Sequence, residues 1–230
     1  MRQFFDCIIP FYNEGNRICD VVGAVKKVSS VSRIICVDDG STDDASSILQ
    51  KRFPDIILQK LQKHIGKSGA VFAGLTHVHT KNVVLLDGDL IGLNPKEIDR
   101  ACTIFDKNES LDMLILRVHG EHRFQWIDDI FRNYIIQSGN RILRTSDLKE
   151  VQKLHPKGYQ LEVAINQYMI DTKRRVIWFA LSAMNLHKTH KTSWIDGWKK
   201  DILMDQEITH YLGLYKRIKQ ILFFCREKII

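Results

Sequence analysis

Apolar and polar residues follow one another along this chain in blocks. Phe4 to Ile9, Arg33 to Val37, Ile56 to Leu61 and Val83 to Leu86 are short apolar runs bounded by charged or turn-forming residues. Each reads as a strand buried on both faces. The segments between them change period. Ile18, Val21, Val22, Val25 and Val28 recur at helical spacing, a second helix is expected from about Asp43, and a third over roughly Ala70 to Val78. Strand and helix alternating four times predict an α/β fold with a mostly parallel, Rossmann-like doubly wound sheet flanked by helices. The first strand is expected to stop at Pro10, which has no N–H to give to a ladder.

The second half is patterned less regularly. Asn94-Pro95 opens a helix, and Leu111 to Val118 is a further strand. Gln125 to Leu143 carries apolar residues at helical spacing together with Arg132, Arg141 and Arg144, while Thr145 to Gly158 reads as a polar connection. Gly158 to Glu162 leads into a helix ending near Ile170, Val176 to Leu181 is a late strand, and His187 to Lys191 is a basic loop. A long helix is expected over much of Trp194 to Arg226. Its aromatic and aliphatic residues, interspersed with Lys and Arg, fit a membrane surface, the protein core or a homodimer partner, and its composition favours packing. The 230 residues suffice for one domain. Residues 1–93 form its ligand-binding half, and residues 94–230 an acceptor-side half with the C-terminal helix.

The net charge of +7 calls for an anionic partner. The basic residues are scattered and no nucleic-acid-reading motif accompanies them, so nucleic acid is not expected. Five dispersed cysteines without a CxxC pair fit reduced thiols. With no leader-like opening and no apolar stretch of membrane-spanning length, the expectation is a cytoplasmic protein, at most peripheral at the membrane surface.

The fourth strand runs into Asp87-Gly88-Asp89. Open α/β sheets bind ligands at the C-terminal ends of their strands, and two carboxylates one residue apart suit a hard divalent cation bridged to a diphosphate. An Asp-rich turn with no ligand is the plainer alternative. Two nucleotide signatures are excluded: no GxGxxG follows the first strand, and the position five before Gly66, a glycine in a phosphate-binding P-loop, is Leu61.

Ile8-Ile9-Pro10-Phe11-Tyr12-Asn13-Glu14, Val37-Asp38-Asp39-Gly40-Ser41-Thr42-Asp43, Gly66-Lys67-Ser68-Gly69-Ala70 and Leu86-Asp87-Gly88-Asp89, in this order, resemble the family 2 glycosyltransferases of GT-A fold. The N-terminal half is similar to the polyprenol-phosphate mannosyl and glucosyl transferases. The resemblance implies an inverting, metal-dependent transfer of a sugar from a UDP- or GDP-sugar to a hydroxyl or phosphate acceptor. That acceptor would be a polyprenyl phosphate, a small metabolite or a glycan. It places Pro10, Tyr12 and Glu14 along the nucleoside, Asp39 and Asp38 at the base (or as helix caps), and Lys67 and Lys188 at the phosphates. It puts Mg²⁺ or Mn²⁺ on Asp89 and Asp87. Where the polyprenol-phosphate mannose synthases carry a Gln two residues after the second Asp, this chain has Ile91, which points to His187, or else His190, as third ligand. Glu162 corresponds to the acidic residue at the acceptor-side helix, the candidate general base. Gly139-Asn140-Arg141 with Arg144 echoes residues that face the acceptor in the polyprenol-phosphate enzymes, an exposed helix face being the plainer alternative. A sugar-1-phosphate nucleotidyltransferase and a catalytically silent sugar-nucleotide binding module are the competing readings.

Overall fold

The computed structural model describes residues 4–119, 137–185, 206–225 and 227–229. Four strands, β1 (Phe5–Phe11), β2 (Val31–Asp38), β3 (Ile57–Lys60) and β4 (Asn82–Leu85), pair in parallel in the order β3-β2-β1-β4. Helices α1 (Arg17–Val25), α2 (Ala45–Arg52) and α3 (Lys67–Leu75) connect them. The short β5 (Leu90–Ile91), helix α4 (Pro95–Lys107) capped by the Asn94 side chain, and β6 (Met113–His119) follow. Then come β7 (Arg141–Arg144), α5 (Thr145–Gln152), a 3₁₀ turn at Gly158–Gln160, α6 (Leu161–Asp171), β8 (Val176–Asn185), α7 (Leu214–Phe223) and β9 (Lys228–Ile229). The sheet continues past β4 through β7, β6 and β8 to β5, and β9 also pairs with β8. Strand β7 is antiparallel to both its neighbours and β5 is antiparallel to β8, so the expected mostly parallel sheet is interrupted on its C-terminal side.

The strand period of two divides the core. Cys7 and Ile9 of β1, Val84, Leu114, Ile142 and Ile177 pack on α1, α2 and α4. Ile8, Ile35, Val37, Val83, Leu85, Met113, Ile115 and Leu143 pack on α3, α5 and α6. Burial on both faces is why the strands read as unbroken apolar runs. All five cysteines are buried free thiols, and burial pushes that of Cys7 well above its ordinary range.

Four expectations are corrected. Pro10 lies inside β1, paired in register with Val37. Ile8 accepts from the Leu86 N–H on the β4 side, so Pro10 also faces that side, one step beyond the last β1–β4 pair, where its missing donor is not required. Residues 141–144, read as the end of a helix, are a strand in the middle of the sheet, and Thr145–Gln152, read as a connection, is a helix. The described C-terminal residues are not one long helix. A helical stretch at 206–212 ends at Gly213, whose φ of 77° no helix accepts, before α7 begins.

Candidate functional site

The C-terminal ends of β1, β2 and β4 converge with the start of α3. Beyond β4 the chain turns through Asp87, Gly88 and Asp89. A Cβ at Gly88 would stand 2.9 Å from Phe11 Cβ and 3.1 Å from the Pro10 carbonyl oxygen, so only glycine lets this turn lie flush against β1. The Asp87 N–H donates to Asn140 Oδ1 at 2.8 Å, which fixes the turn to the residue preceding β7.

Lys67, the first residue of α3, is the hub. Its Nζ lies 2.5 Å from Asp87 Oδ1 and 2.7 Å from Glu162 Oε1. Three distant stretches, the Gly66-Lys67-Ser68 motif, the Asp-Gly-Asp turn and the start of α6, thereby meet at one ammonium. Burial works against that charge, but the Asp87 and Glu162 carboxylates outweigh it and hold the Lys67 pKa above the ordinary lysine value. Gly139 is the floor of the cluster, since a Cβ there would stand 2.0 Å from Lys67 Nζ and 2.6 Å from Asp87 Oδ1.

Glu162 is buried, with Lys67 in front and Arg141 behind. The Arg141 guanidinium is fully buried and donates to the Ser138 carbonyl at 2.7 Å, Asn166 Oδ1 at 2.7 Å and the Glu162 carbonyl at 3.3 Å. Burial pulls its pKa down to about 10, against the opposing charge of Glu162, which leaves it cationic at neutral pH. This corrects the acceptor-binding expectation for Arg141: lying on a central strand, it braces the first turn of α6 from inside. Arg144 is corrected as well. It stands opposite Asn82 at the far end of β4, roughly 16 Å along the strand from Asp87. There it pairs with Asp112 at 3.1 Å.

On the β1 and β2 side the loops interlock. Asn13 N–H donates to Ser41 Oγ, Thr42 N–H to Asn13 Oδ1, and Gly15 N–H to Asp43 Oδ2. Asp38 is fully buried and takes the Ser41 N–H at 2.7 Å and the Ser46 hydroxyl, which makes it a cap of the turn before α2. Asp39 accepts from the Ile65 and Gly66 N–H groups at 2.8 and 2.9 Å, and from His64 Nδ1 at 2.9 Å, so it fastens the loop that opens α3. The rings of Tyr12 and His64 lie 4.2 Å apart above this loop, and Glu14 pairs with Arg17. Pro10 lies one residue before the end of β1, paired with Val37. Asp89 is half-buried and immediately precedes β5. His187, Lys188 and His190 lie outside the described residues. The sequence points to Gly139-Asn140-Arg141 only as an echo of acceptor-facing residues, whereas the structure sets Gly139 and Asn140 against Lys67 and Asp87.

A family model described as glycosyl transferase family 2 matches residues 6–165. The chain belongs to that family. An uncharacterised glycosyltransferase, YaiP, of Escherichia coli K12 is 34% identical over 87 residues, covering 36% of this chain and 22% of that protein. The undecaprenyl-phosphate 4-deoxy-4-formamido-L-arabinose transferase of Edwardsiella ictaluri is 30% identical over 113 residues, covering 46% and 34% respectively. The matched stretches thus span well under half of these curated relatives. Among solved structures, glucosyl-3-phosphoglycerate synthase of Mycobacterium tuberculosis, in complex with Mn²⁺, UDP and glucosyl-3-phosphoglycerate, superposes with a TM-score of 0.72. It shares 18% identity, over 93% of this chain and 80% of that one. That likeness carries the GT-A type fold. Among the described residues no helix is long and apolar enough to cross a membrane.

Proposed function

We propose that this family 2 chain is an inverting, metal-dependent glycosyltransferase using a UDP- or GDP-sugar. One observation carries the reading: Lys67 joins Asp87 and Glu162 at the strand ends where α/β sheets bind ligands, beside Asp89. The nucleoside would lie along Pro10, Tyr12, Glu14 and Asp39, beside the Tyr12 and His64 rings, which stand 4.2 Å apart at a tilt of 35°. Lys67 supplies a fixed positive charge next to the diphosphate.

The two carboxylates of the Asp87 turn are hard oxygen donors suited to Mg²⁺ or Mn²⁺. Among the described residues no group of three or more His, Cys, Asp or Glu could hold a metal ion. The third ligand is assigned to His187. The described part of β8 ends at Asn185, which pairs with Leu90, the neighbour of Asp89. When bound, the cation supplies Lewis-acid stabilisation of the departing diphosphate.

Glu162 is the general base for a hydroxyl acceptor. It takes the proton as the acceptor oxygen attacks the anomeric carbon opposite the leaving nucleoside diphosphate, and attack from that face inverts the centre. For an ionised phosphate acceptor no proton has to leave, and Glu162 then orients sugar or acceptor. The undecaprenyl-phosphate named for one relative favours a polyprenyl phosphate acceptor.

Thermal-shift measurements with UDP-, GDP-, dTDP- and ADP-sugars, with and without Mn²⁺, test this on wild type and Asp89→Ala. A metal-dependent rise in Tm for one nucleotide, lost in Asp89→Ala, is the expected result. The absence of any shift would refute the donor site, and a binding signal without donor hydrolysis that Glu162→Gln leaves unchanged would identify a silent binding module.

A further inference from the structure

Among its described side chains, helix α7 packs Ile221 against the core but turns three large apolar residues outward and buries a polar one. Its one fully buried described side chain is polar: Gln220 is 1% exposed. Its large apolar residues Leu214, Tyr215 and Ile218 are 65%, 78% and 47% exposed. In a helix packed only to complete a core the pattern runs the other way. At 100° per residue these three occupy one arc of about a quarter turn, and the exposed Lys219 and Lys216 follow on its flank.

The inversion is locked from within. Gln220 Nε2 donates to the Val163 carbonyl and to Gln167 Oε1, both at 3.2 Å. Gln220 Oε1 accepts from Asn166 Nδ2 at 3.4 Å. Rolling the apolar arc inward would expel Gln220 and orphan the buried polar groups of α6, including the Asn166 that holds Arg141. The helix is therefore held with its apolar side outward.

We propose that this face of α7 docks on an anionic lipid bilayer, with Leu214, Tyr215 and Ile218 entering the interface and Lys216 and Lys219 facing the headgroups. Charge complementarity selects this occupant. Cations flank the apolar arc on a chain of net charge +7, and the described helix carries no acidic residue that would answer the lysines of a second copy. A tyrosine at the border of an apolar surface suits the interfacial layer, where one end of the ring is dry and the other wet. This inference stands apart from the transferase reading.

Co-sedimentation of the full chain with vesicles of phosphatidylglycerol and phosphatidylcholine in equal parts, against phosphatidylcholine alone, tests it. The wild type should pellet with the anionic vesicles only. Leu214→Ser with Ile218→Ser, and separately Lys216→Glu with Lys219→Glu, should each weaken binding by about tenfold or more. Lys51→Glu with Lys107→Glu, an equal charge change at exposed positions of α2 and α4, should bind nearly as the wild type does. Equal pelleting with both lipids, or no effect of the α7 pairs, would overturn the proposal. So would sedimentation velocity showing a dimer that Leu214→Ser with Ile218→Ser splits while vesicles are ignored. Donor-induced Tm shifts recorded on the same samples keep a failure of the surface distinct from a failure of the transferase reading.

Discussion

Gly139→Ala separates the site from the fold. The added methyl would stand 2.0 Å from Lys67 Nζ, whereas an ordinary contact needs about 3.5 Å, so the ammonium must retreat by roughly 1.5 Å. The methyl would also stand 2.6 Å from Asp87 Oδ1, so two side-chain ends must give way, but both are side-chain rather than backbone atoms and Gly139 is not in the positive-φ region, so folding should lose only about 1 kcal/mol. The charge cluster loses more. At an effective dielectric near 20, drawing the ammonium from 2.5 Å to about 4 Å from Asp87 weakens their attraction by about 2.5 kcal/mol. Both side chains are less than a third exposed, so solvent removes only part of this and leaves about 2 kcal/mol. Converted, that remainder is roughly a thirtyfold fall in kcat/KM for metal-dependent donor hydrolysis. The assay pairs that rate with a urea unfolding curve. A rate within about twofold of wild type at unchanged stability would refute the role given to the Lys67–Asp87 contact, and Lys67→Met should reproduce the loss without the steric change.

Other outcomes follow from the same contacts. Glu162→Gln should lower turnover with a hydroxyl acceptor by ~10² or more while donor affinity, read calorimetrically, stays near wild type. Asn140→Ala removes the acceptor of the Asp87 N–H and should cost about 1–3 kcal/mol of stability in urea. It should also weaken donor affinity, in the Glu162→Gln background as in the wild type, because it acts through the Asp87 turn. Asp6 is fully buried; burial raises its pKa, but Arg33 and the His79 and Thr80 N–H groups outweigh this and hold it below the ordinary 3.8. Its contribution to stability is therefore complete above that ordinary value and lost as pH falls through the lower native one. Asp6→Asn should flatten the acid limb of the stability curve and lower stability by about 3 kcal/mol at neutral pH.

Legibility tracked how many layers a residue has to satisfy. Strands β1, β2 and β4 were readable because both faces of their buried stretches pack on helices, leaving apolar runs no surface helix would show, β3 followed as a partly buried edge strand, and the Asp87 turn was readable because carboxylates at such strand ends serve no packing purpose. Strand β7 failed the same test. Only Ile142 and Leu143 are apolar between two arginines, and the full burial of Arg141 depends on Ser138, Glu162 and Asn166, partners that no local pattern announces. Helix α5 was hidden for the complementary reason. It gives the core only Leu148 and Val151, and its buried Asp147 is held by Tyr168 and Arg174 from elsewhere in the chain. At α7 local pattern and tertiary placement disagree outright: the apolar residues announce a packed face, and the structure turns it outward by burying Gln220. Where buried polar groups set the arrangement, periodicity is silent, and here those groups, Arg141, Asn140 and Asn166, brace the turn and helix that carry Asp87 and Glu162.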